Sequence, residues 1–317
     1  MRTGAPAGLP GFFHEAAFYS SDEEFVAIVA PFLAGGVAAG EPVVAAFRPH
    51  LLALLRAAPG LAGNVHFLDG EEHYSRPATA IHRYRTLVAG HVAAGAGQVR
   101  VAGEIPHPGV GVPWDWWARY EAVINHAYDD LPLWGVCPYD IRSCAPEVIE
   151  QVRRTHPYIA TTAGHRPNPD FADPEDFLRT RRTAWRDPLE STPPRAHLTD
   201  PMPAEMRAAV IAAAAHSAVP PPDLKGLVLA ATEVVTNALV HGAPPVDARV
   251  WTAERRVLVT VADAGPGPRS RLAGIRPVRT PTGGLGLWIA HQSCAHVDLR
   301  HEEGRFTVRL LAGSPEP

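Results

Sequence analysis

The amino-acid sequence predicts two domains, an α/β domain with a mostly parallel sheet followed by an α+β two-layer sandwich. Its 317 residues are too many for one ordinary hydrophobic core, which favours two domains. Residues 12–160 alternate strand-like apolar runs with helical patterns, as in a parallel sheet covered by helices. Residues 199–312 follow a different order of two helices, two strands, one helix and two strands, which predicts helices packed on an antiparallel sheet.

Five strand–helix units account for the first domain. The predicted strands contain HEAAFYS, PVVAAF, VHFLD, VRVAGEI and LPLWGVCPYD, and a helical pattern follows each of them. In sheets of this kind the ligand crevice lies at the carboxyl ends of the strands. The residues predicted at those ends are Tyr19, Ser20, Arg48, Asp69, Glu104, Cys137, Tyr139 and Asp140.

Residues 161–198 differ from both flanking regions. They are rich in proline, arginine and aspartate, and the prolines interrupt any long periodic pattern. We therefore expect a linker segment packed on the surface, with one short helix within PEDFLRTRRTAW.

Composition narrows the class of protein. A hydrophobic content of 46% is typical of a globular chain, and a net charge of −4 gives no general attraction to nucleic acid or to an anionic membrane. The three cysteines form no CxxC pair, which fits a reducing compartment. The weakly apolar run 27–40 is interrupted by Pro31, and the first residues have no apolar core of signal-peptide length. We therefore expect a cytoplasmic protein.

One predicted helix of the second domain, which contains EVVTNALVHG, carries three polar side chains one turn apart. Asn237 and His241 lie about 40° and 80° from Glu233 on a helical wheel, on the same side. The opposite side is apolar and contains Leu227, Val228, Ala231, Val234, Val235, Ala238 and Leu239. Taken alone, this pattern is also typical of a solvated face on an amphipathic helix.

Two further motifs follow that helix in a fixed order. A predicted strand ends in Asp263, and Gly265 and Gly267 follow it in a D-x-G-x-G pattern. The sequence GGLG, with Gly284 and Gly286, then opens the next predicted helix. Each motif is weak by itself because glycine-rich turns are common. The ordered set of E-x-x-x-N, D-x-G-x-G and G-G-x-G is specific.

This ordered set resembles the GHKL ATP-binding fold shared by gyrase, histidine kinases and the anti-sigma serine kinases. The resemblance covers residues 199–312, and LAATEVVTNALVHG, VTVADAGPGP and GGLGLWIA are most similar to the anti-sigma-factor, serine-kinase branch. It implies that ATP and Mg²⁺ are the cofactors. It also implies that Asp263 accepts a hydrogen bond from the adenine amino group and that Gly265 and Gly267 allow backbone to approach the nucleotide.

The resemblance assigns further roles at the phosphate end of the nucleotide. Asn237 is the implied Mg²⁺ ligand, and the backbone near Gly284, Leu285 and Gly286 is implied to hold the phosphates. Glu233 is the implied catalytic residue, which orients or deprotonates the attacking hydroxyl or water. His241 either contacts phosphate or caps the helix end. The segment between Gly267 and Gly283 is implied to be an ATP lid, whose arginines 269, 271, 276 and 279 either contact phosphate or are solvated.

The first domain resembles the MEDS sensory domain, a family found joined to signalling output domains. The segments HEAAFYSSDEEFVAIVAPFLAGGVAAGEPVVAAF, YEAVINHAY, LWGVCPYD and RRTHPYI carry this resemblance. It implies an unidentified small-molecule ligand. His14, Cys137 and His156 come from separate elements and could converge as a metal or redox site, although a strand cysteine is also typical of a buried core. The aromatic run WDWW with Tyr120 fits either core or the wall of a ligand pocket.

Together the resemblances imply a signalling protein with an ATP-dependent serine/threonine protein kinase as output. The implied protein partner is an anti-anti-sigma factor or a sigma factor, a homodimer is possible, and no direct contact with nucleic acid or membrane is expected. Two alternatives stay open: an ATP-gated partner-binding switch without kinase activity, and an atypical sensor histidine kinase. His216 is a poor phosphoacceptor candidate because it precedes SAVPPP at a helix end.

Overall fold

A computed structural model of the chain describes residues 1–105, 112–180, 185–277, 284–302 and 304–315. The chain forms two compact units. The first contains residues 1–110 and 117–181, and the second contains residues 111–116 and 182–317. The main division of the chain thus falls within the segment 161–198, which the sequence predicts as a linker.

The first unit is built on a seven-stranded sheet with the order β3-β2-β4-β5-β1-β6-β7. All neighbouring strands are parallel except β6 and β7, which form an antiparallel hairpin. The prediction of a mostly parallel sheet is therefore confirmed. The strands are β1 Phe13–Tyr19, β2 Val43–Phe47, β3 His66–Asp69, β4 Val99–Gly103, β5 Leu133–Asp140, β6 Tyr158–Thr161 and β7 Gly164–Pro167.

Helices follow each of the five predicted strands. Their starts have simple causes: the Ser21 side chain accepts the Glu24 backbone N–H at 3.2 Å, and three other helices begin with proline. Every residue of β2 and β4 is buried, as expected for central strands with helices on both faces. The helices are α1 Asp22–Ala38, α2 Pro49–Ala57, α3 Gly70–His73, α4 Pro77–Ala93, α5 Trp114–Ala127, α6 Pro146–Thr155 and α7 Pro174–Thr180.

The second unit contains a five-stranded antiparallel sheet with the order β11-β12-β10-β9-β8. Three helices pack on one face of it, and valines of β10 and β12 form the core with the apolar side of α9. The predicted two-layer α+β sandwich is confirmed. Its elements are β8 Ala196–Thr199, α8 Pro203–Ala214, α9 Pro221–His241, β9 Asp247–Ala253, β10 Arg256–Asp263, α10 Gly286–Ser293, β11 His296–Glu302 and β12 Arg305–Gly313.

The segment predicted as a linker holds more structure than expected. It contains β7, α7, a 3₁₀ helix at Pro188–Ser191 and most of β8. Within the second unit, the buried Asp187 carboxylate accepts hydrogen bonds from Arg256 at 2.8 and 3.1 Å, and Glu190 pairs with Arg309 at 2.9 Å. The sequence of this segment could not predict these ion pairs, because the two arginines belong to β10 and β12 and are distant in sequence.

Two tryptophans of the WDWW run, Trp116 and Trp117, are buried. Trp117 is fully buried in the first unit, where it meets Tyr74 and Tyr120 edge to face. Trp116 belongs to the second unit and stacks on His296 with ring centroids 4.2 Å apart. Both tryptophans thus serve as core. In the described part of the chain, no helix combines the length and the apolar character required to span a bilayer.

Candidate functional site

The polar side of α9 lies against the start of α10. A methyl group placed on Gly286 would lie 2.8 Å from Nδ2 of Asn237 and 3.1 Å from Oε2 of Glu233. Both polar side chains are only partly exposed. At these two positions the polar side of α9 therefore borders the glycine-rich turn, whereas a simple amphipathic helix would present it to open solvent.

The apolar side of α9 is mostly buried, except that Val228 is partly buried and Leu239 is exposed. Leu227, Ala231 and Val235 are fully buried, but 40% of the Leu239 surface is exposed. Leu239 lies at the edge of the apolar stripe, whose centre runs through Leu227 and Ala238. This position accounts for the exposure of Leu239.

Asp263 lies at the end of β10 and only 4% of its surface is exposed. Its Oδ1 atom accepts hydrogen bonds from the backbone N–H groups of Gly265 at 2.7 Å and Ala243 at 3.2 Å. A methyl group on Gly265 would lie 2.7 Å from this oxygen, and one on Gly242 would overlap it. Two glycines thus let two backbone segments close around one carboxylate. Gly242 was missed by the sequence argument, although it directly follows the helix motif.

Gly267 has a left-handed backbone with φ +63°, and a methyl group there would overlap the Phe306 ring. Glycine is required here on both grounds. Phe306 comes from β12, far from any of the three motifs, so only the fold shows that it packs beside them.

A cavity of about 380 Å³ lies among these elements. That volume is within the usual range for small-molecule sites, about 300–1,000 Å³. Its polar lining includes Asn237, His241 and Asp263, and the backbone of Gly267, Gly284 and Gly286 also contributes. Its apolar lining includes Val234, Ala238, Val261, Leu287, Phe306 and Val308. The structure thus brings residues of all three motifs to one cavity.

The other predicted site residues lie close by. Glu233 borders the cavity through Gly286, and Gly265 is buried behind Asp263. Leu285 is the residue before the first turn of α10, with helical φ −95° and ψ −13°. Exposed His241 lines the cavity at the last turn of α9, and neither of its two proposed roles is decided.

The predicted lid is only partly described. Ala273 and Gly274 of this segment line the cavity. Arg269 is exposed, whereas Arg271 and Arg276 are partly buried. Arg279 and Gly283 lie outside the described residues.

In the first unit, three of the residues predicted at the carboxyl ends of strands converge. The Tyr19 hydroxyl donates a hydrogen bond to Glu104 Oε1 at 2.8 Å, and Arg48 donates two to the same carboxylate at 3.0 Å. Burial raises the pKa of Glu104, and the neighbouring Arg48 charge opposes that rise. Asp140 instead pairs with Arg142 at 2.7 Å. A partly buried ion pair between Arg48 and Glu104 thus lies at the carboxyl ends of these strands.

His14, Cys137 and His156 also converge in the first unit, and they do so around Glu121, which the sequence argument missed. The His14 Nε2 atom lies 3.5 Å from the Cys137 sulfur and 3.4 Å from Glu121 Oε2. The His156 Nε2 atom lies 3.4 Å from the same carboxylate oxygen. Burial lowers the pKa of both imidazoles to about 3, so both rings are neutral near pH 7. The only signal for Glu121 in the sequence is a carboxylate within the apolar pattern of YEAVINHAY.

Comparisons with known proteins identify both domains. Residues 13–157 match the family model described as MEthanogen/methylotroph, DcmR Sensory domain (MEDS), and residues 199–311 match the histidine kinase-like ATPase domain. A MEDS domain followed by a histidine kinase-like ATPase domain is therefore present, as the sequence motifs predict. No curated protein matches the chain.

Among solved structures, the RsbU and RsbW domains of Rv1364c from Mycobacterium tuberculosis are 22% identical in sequence, with a TM-score of 0.28. The match covers 39% of this chain and 33% of that one. This chain thus corresponds to about a third of the length of that relative.

Proposed function

We propose that this chain, a MEDS domain joined to a histidine kinase-like ATPase domain, is a signalling protein that binds ATP-Mg²⁺ and phosphorylates a serine or threonine of a protein partner. One observation carries this proposal: Asp263 and Asn237 line one glycine-lined cavity, and Glu233 adjoins it beside Gly286. The first domain would regulate the output by binding a small molecule.

The inner end of the cavity suits an adenine ring. The walls contributed by Val261, Phe306 and Val308 are apolar, and the buried Asp263 is the charged acceptor among them. Because Oδ1 of Asp263 accepts two backbone N–H groups, its other oxygen is left to accept an amino group. A buried acceptor of this kind selects a base with an amino group over one with a carbonyl, since a carbonyl would leave the carboxylate without a donor.

The outer end suits phosphate and a hard cation. The backbone of Gly284 lines the cavity just before the first turn of α10, where unpaired N–H groups attract anions. The amide oxygen of Asn237 is a suitable ligand for Mg²⁺, which prefers oxygen donors. A side chain at Gly286 would fill the space beside Asn237, so glycine keeps this end open.

Glu233 is the proposed general base. When bound, ATP supplies the transferable phosphoryl group, and catalysis then depends on placing and activating a hydroxyl nucleophile. The Glu233 carboxylate borders Gly286 on the same side of α9 as Asn237, so it adjoins the phosphate end. It would accept the proton of a serine or threonine hydroxyl of the partner. We propose an anti-anti-sigma factor as the phosphorylated partner, or a sigma factor as a partner that is sequestered, and the resemblance of the motifs alone supports this choice.

The test uses the full chain, labelled ATP with Mg²⁺, and a panel of anti-anti-sigma and sigma factors from the same genome. We expect saturable ATP binding and label transfer to serine or threonine of one partner. The Glu233→Gln variant should bind ATP nearly as the parent does and lose transfer. Glu254→Gln is the matched control, because Glu254 is an exposed carboxylate in the β9–β10 turn.

The possible outcomes separate the candidate functions. Binding without transfer by the parent, with partner affinity that depends on ATP, would identify a switch in place of a kinase. Label on a histidine of the chain itself would identify a histidine kinase. Absence of ATP binding up to millimolar concentration would refute the proposal as a whole.

A further inference from the structure

The cluster around Glu121 is a separate site, independent of the ATP cavity. His14 comes from β1, Glu121 from α5, Cys137 from β5, and His156 directly follows α6. One ligand-type atom from each lies within 4.8 Å of all the others. We propose that this cluster, called here the His-Glu-Cys-His cluster, binds one divalent transition-metal ion of the Zn²⁺ class.

The amide oxygen of Asn125, which can only accept a hydrogen bond, fixes the position of the His14 ring proton. The Asn125 amide nitrogen donates to the backbone oxygens of Glu121 at 3.0 Å and Thr155 at 2.8 Å, which places the amide oxygen toward His14. That oxygen lies 3.0 Å from Nδ1 of His14. Nδ1 must therefore carry the ring proton, and Nε2 presents a lone pair to the cluster.

His156 and Glu121 are fixed in the same way. The Nδ1 atom of His156 lies 2.8 Å from the Val152 backbone oxygen, which can only accept, so its Nε2 also presents a lone pair. The Tyr139 hydroxyl donates to Glu121 Oε1 at 2.6 Å, which leaves Oε2 facing the two rings. Metal-binding side chains in proteins are commonly held by outer hydrogen bonds of this kind.

The resulting arrangement has an excess of acceptors. Oε2 of Glu121 lies 3.4 Å from both ring nitrogens, yet within the described residues neither Oε2 nor the His156 Nε2 makes a hydrogen bond. A buried acceptor without a donor destabilises the folded chain. A proton on Glu121 would serve one ring nitrogen, and His14 Nε2 would then depend on the weak S–H donor of Cys137 at 3.5 Å. A cation at the centre attracts all of them at once.

The spacing and the ligand types point to the zinc class. Bonds of about 2.0–2.3 Å at a tetrahedral centre place neighbouring ligand atoms about 3.3–3.7 Å apart. The cluster has separations of 3.4, 3.4 and 3.5 Å around Glu121 and His14. Two imidazoles and a thiolate favour Zn²⁺ or a similar transition metal over Mg²⁺ or Ca²⁺, which prefer oxygen.

The members of the cluster differ in their exposure to solvent. His14, Glu121 and His156 are fully buried, whereas Cys137 is partly exposed. Cys137 therefore marks the side of the cluster nearest to solvent, and its thiol proton is released when a metal binds.

The test uses the full chain with Zn²⁺ and with Co²⁺ as a spectroscopic probe. We expect one tightly held metal per chain by elemental analysis, and a thiolate-to-cobalt charge-transfer band in the near ultraviolet. The Cys137→Ser variant should lose that band and bind Co²⁺ at least about 10-fold more weakly. Cys144→Ser is the matched control, because Cys144 is a partly buried cysteine of the same unit outside the cluster.

A second measurement needs no variant. Zn²⁺ should slow alkylation of Cys137 in the parent chain, measured by peptide mass spectrometry with and without chelator, and should leave the Cys144 rate unchanged. Absence of bound metal together with unchanged alkylation of Cys137 would overturn the proposal and favour a shared proton on Glu121. Metal binding that survives in Cys137→Ser with unchanged affinity and an unchanged cobalt band would place the metal elsewhere, which also overturns it.

Discussion

Oδ1 of Asp263 accepts the backbone N–H of Gly265 at 2.7 Å, so one oxygen of this carboxylate is committed to its own loop. The same Oδ1 atom also accepts the backbone N–H of Ala243 at 3.2 Å. The carboxylate is thereby fixed in orientation, and its second oxygen is the one that remains for a ligand.

Asp263→Asn should therefore reverse the hydrogen-bonding character at the base end of the cavity. The Asn oxygen would keep the Gly265 and Ala243 donors, which turns the amide NH₂ toward the adenine amino group. A donor would then face a donor, and ATP affinity should fall by roughly 1–3 kcal/mol. Titrations with ATP and GTP measure this effect. An unchanged preference for ATP would show that Asp263 does not read the base, and Asp247→Asn controls for a lost carboxylate on the same sheet.

Gly286→Ala should weaken the binding of ATP-Mg²⁺, because it changes the end of the cavity where the phosphates are proposed to lie. Its new methyl group would lie 2.8 Å from Asn237 and 3.1 Å from Glu233, so at least one of these side chains must move. We expect at least a 10-fold loss of ATP-Mg²⁺ affinity with little change in helix content by circular dichroism. Gly90→Ala is the control, since that helical glycine in α4 has open space around it. Equal ATP affinity in Gly286→Ala and the parent would place the phosphates elsewhere.

Asn237→Ala should act through magnesium. If the Asn237 amide oxygen is a ligand of Mg²⁺, its removal lowers ATP affinity in magnesium buffer and has a much smaller effect in EDTA. Isothermal titration under both conditions measures the difference. A loss of the same size in both buffers would assign Asn237 to direct nucleotide contact or to folding.

The family resemblance carried by the three ordered motifs implied that these segments meet at one site. Spacing predicted Glu233 and Asn237 on one side of α9, and Gly286 is found against both. Residues that meet the site only through the sheet, such as Phe306, carry no local signal. Glu121 illustrates the same limit in the first unit, because a lone carboxylate in a helix has no pattern until the fold brings three other ligands to it.

Two of the strands that the sequence argument missed are short and polar. Gly164–Pro167 and most of Ala196–Thr199 lie in a segment whose prolines and charges indicate irregular structure. Both are outer strands, each paired on one side only in its sheet, so their hydrogen bonds depend on partners far away or on a tight hairpin. Alternation of apolar residues is weak in strands of four residues.

His73 should make the stability of the chain depend on pH. It is 6% exposed and packs against Tyr84 with ring centroids 4.2 Å apart. Burial, with a smaller effect of the Arg83 charge, lowers its pKa to about 4. Between about pH 6.5 and 4 the unfolded chain binds a proton that the folded chain does not, so stability falls as pH falls through this window. At pH 5 the titration of His73 lowers the free energy of unfolding by about 2 kcal/mol relative to neutral pH.

His73→Phe keeps an apolar ring and removes the titration. Urea unfolding at pH 7 and pH 5 should show a smaller loss of stability on acidification in this variant than in the parent. His82→Phe is the control, because the exposed His82 ring lies on the same side of α4 as the residues near His73. The same pH dependence in the parent and in His73→Phe would mean that His73 is protonated in the folded chain.

The first residue of the ATPase domain can be tested by comparing two fragments of different length. A fragment of residues 199–317 follows the predicted boundary, whereas a fragment of residues 182–317 keeps Asp187 and Glu190. Asp187 is fully buried beside Arg256, and removal of one partner of a buried ion pair costs about 3–5 kcal/mol. The shorter fragment should therefore unfold at a clearly lower temperature. Asp187→Ala in the longer fragment should reproduce much of that loss, and Glu254→Ala should not. Equal melting temperatures for the two fragments would show that residues 182–198 add nothing to this domain and that the predicted start at residue 199 is adequate.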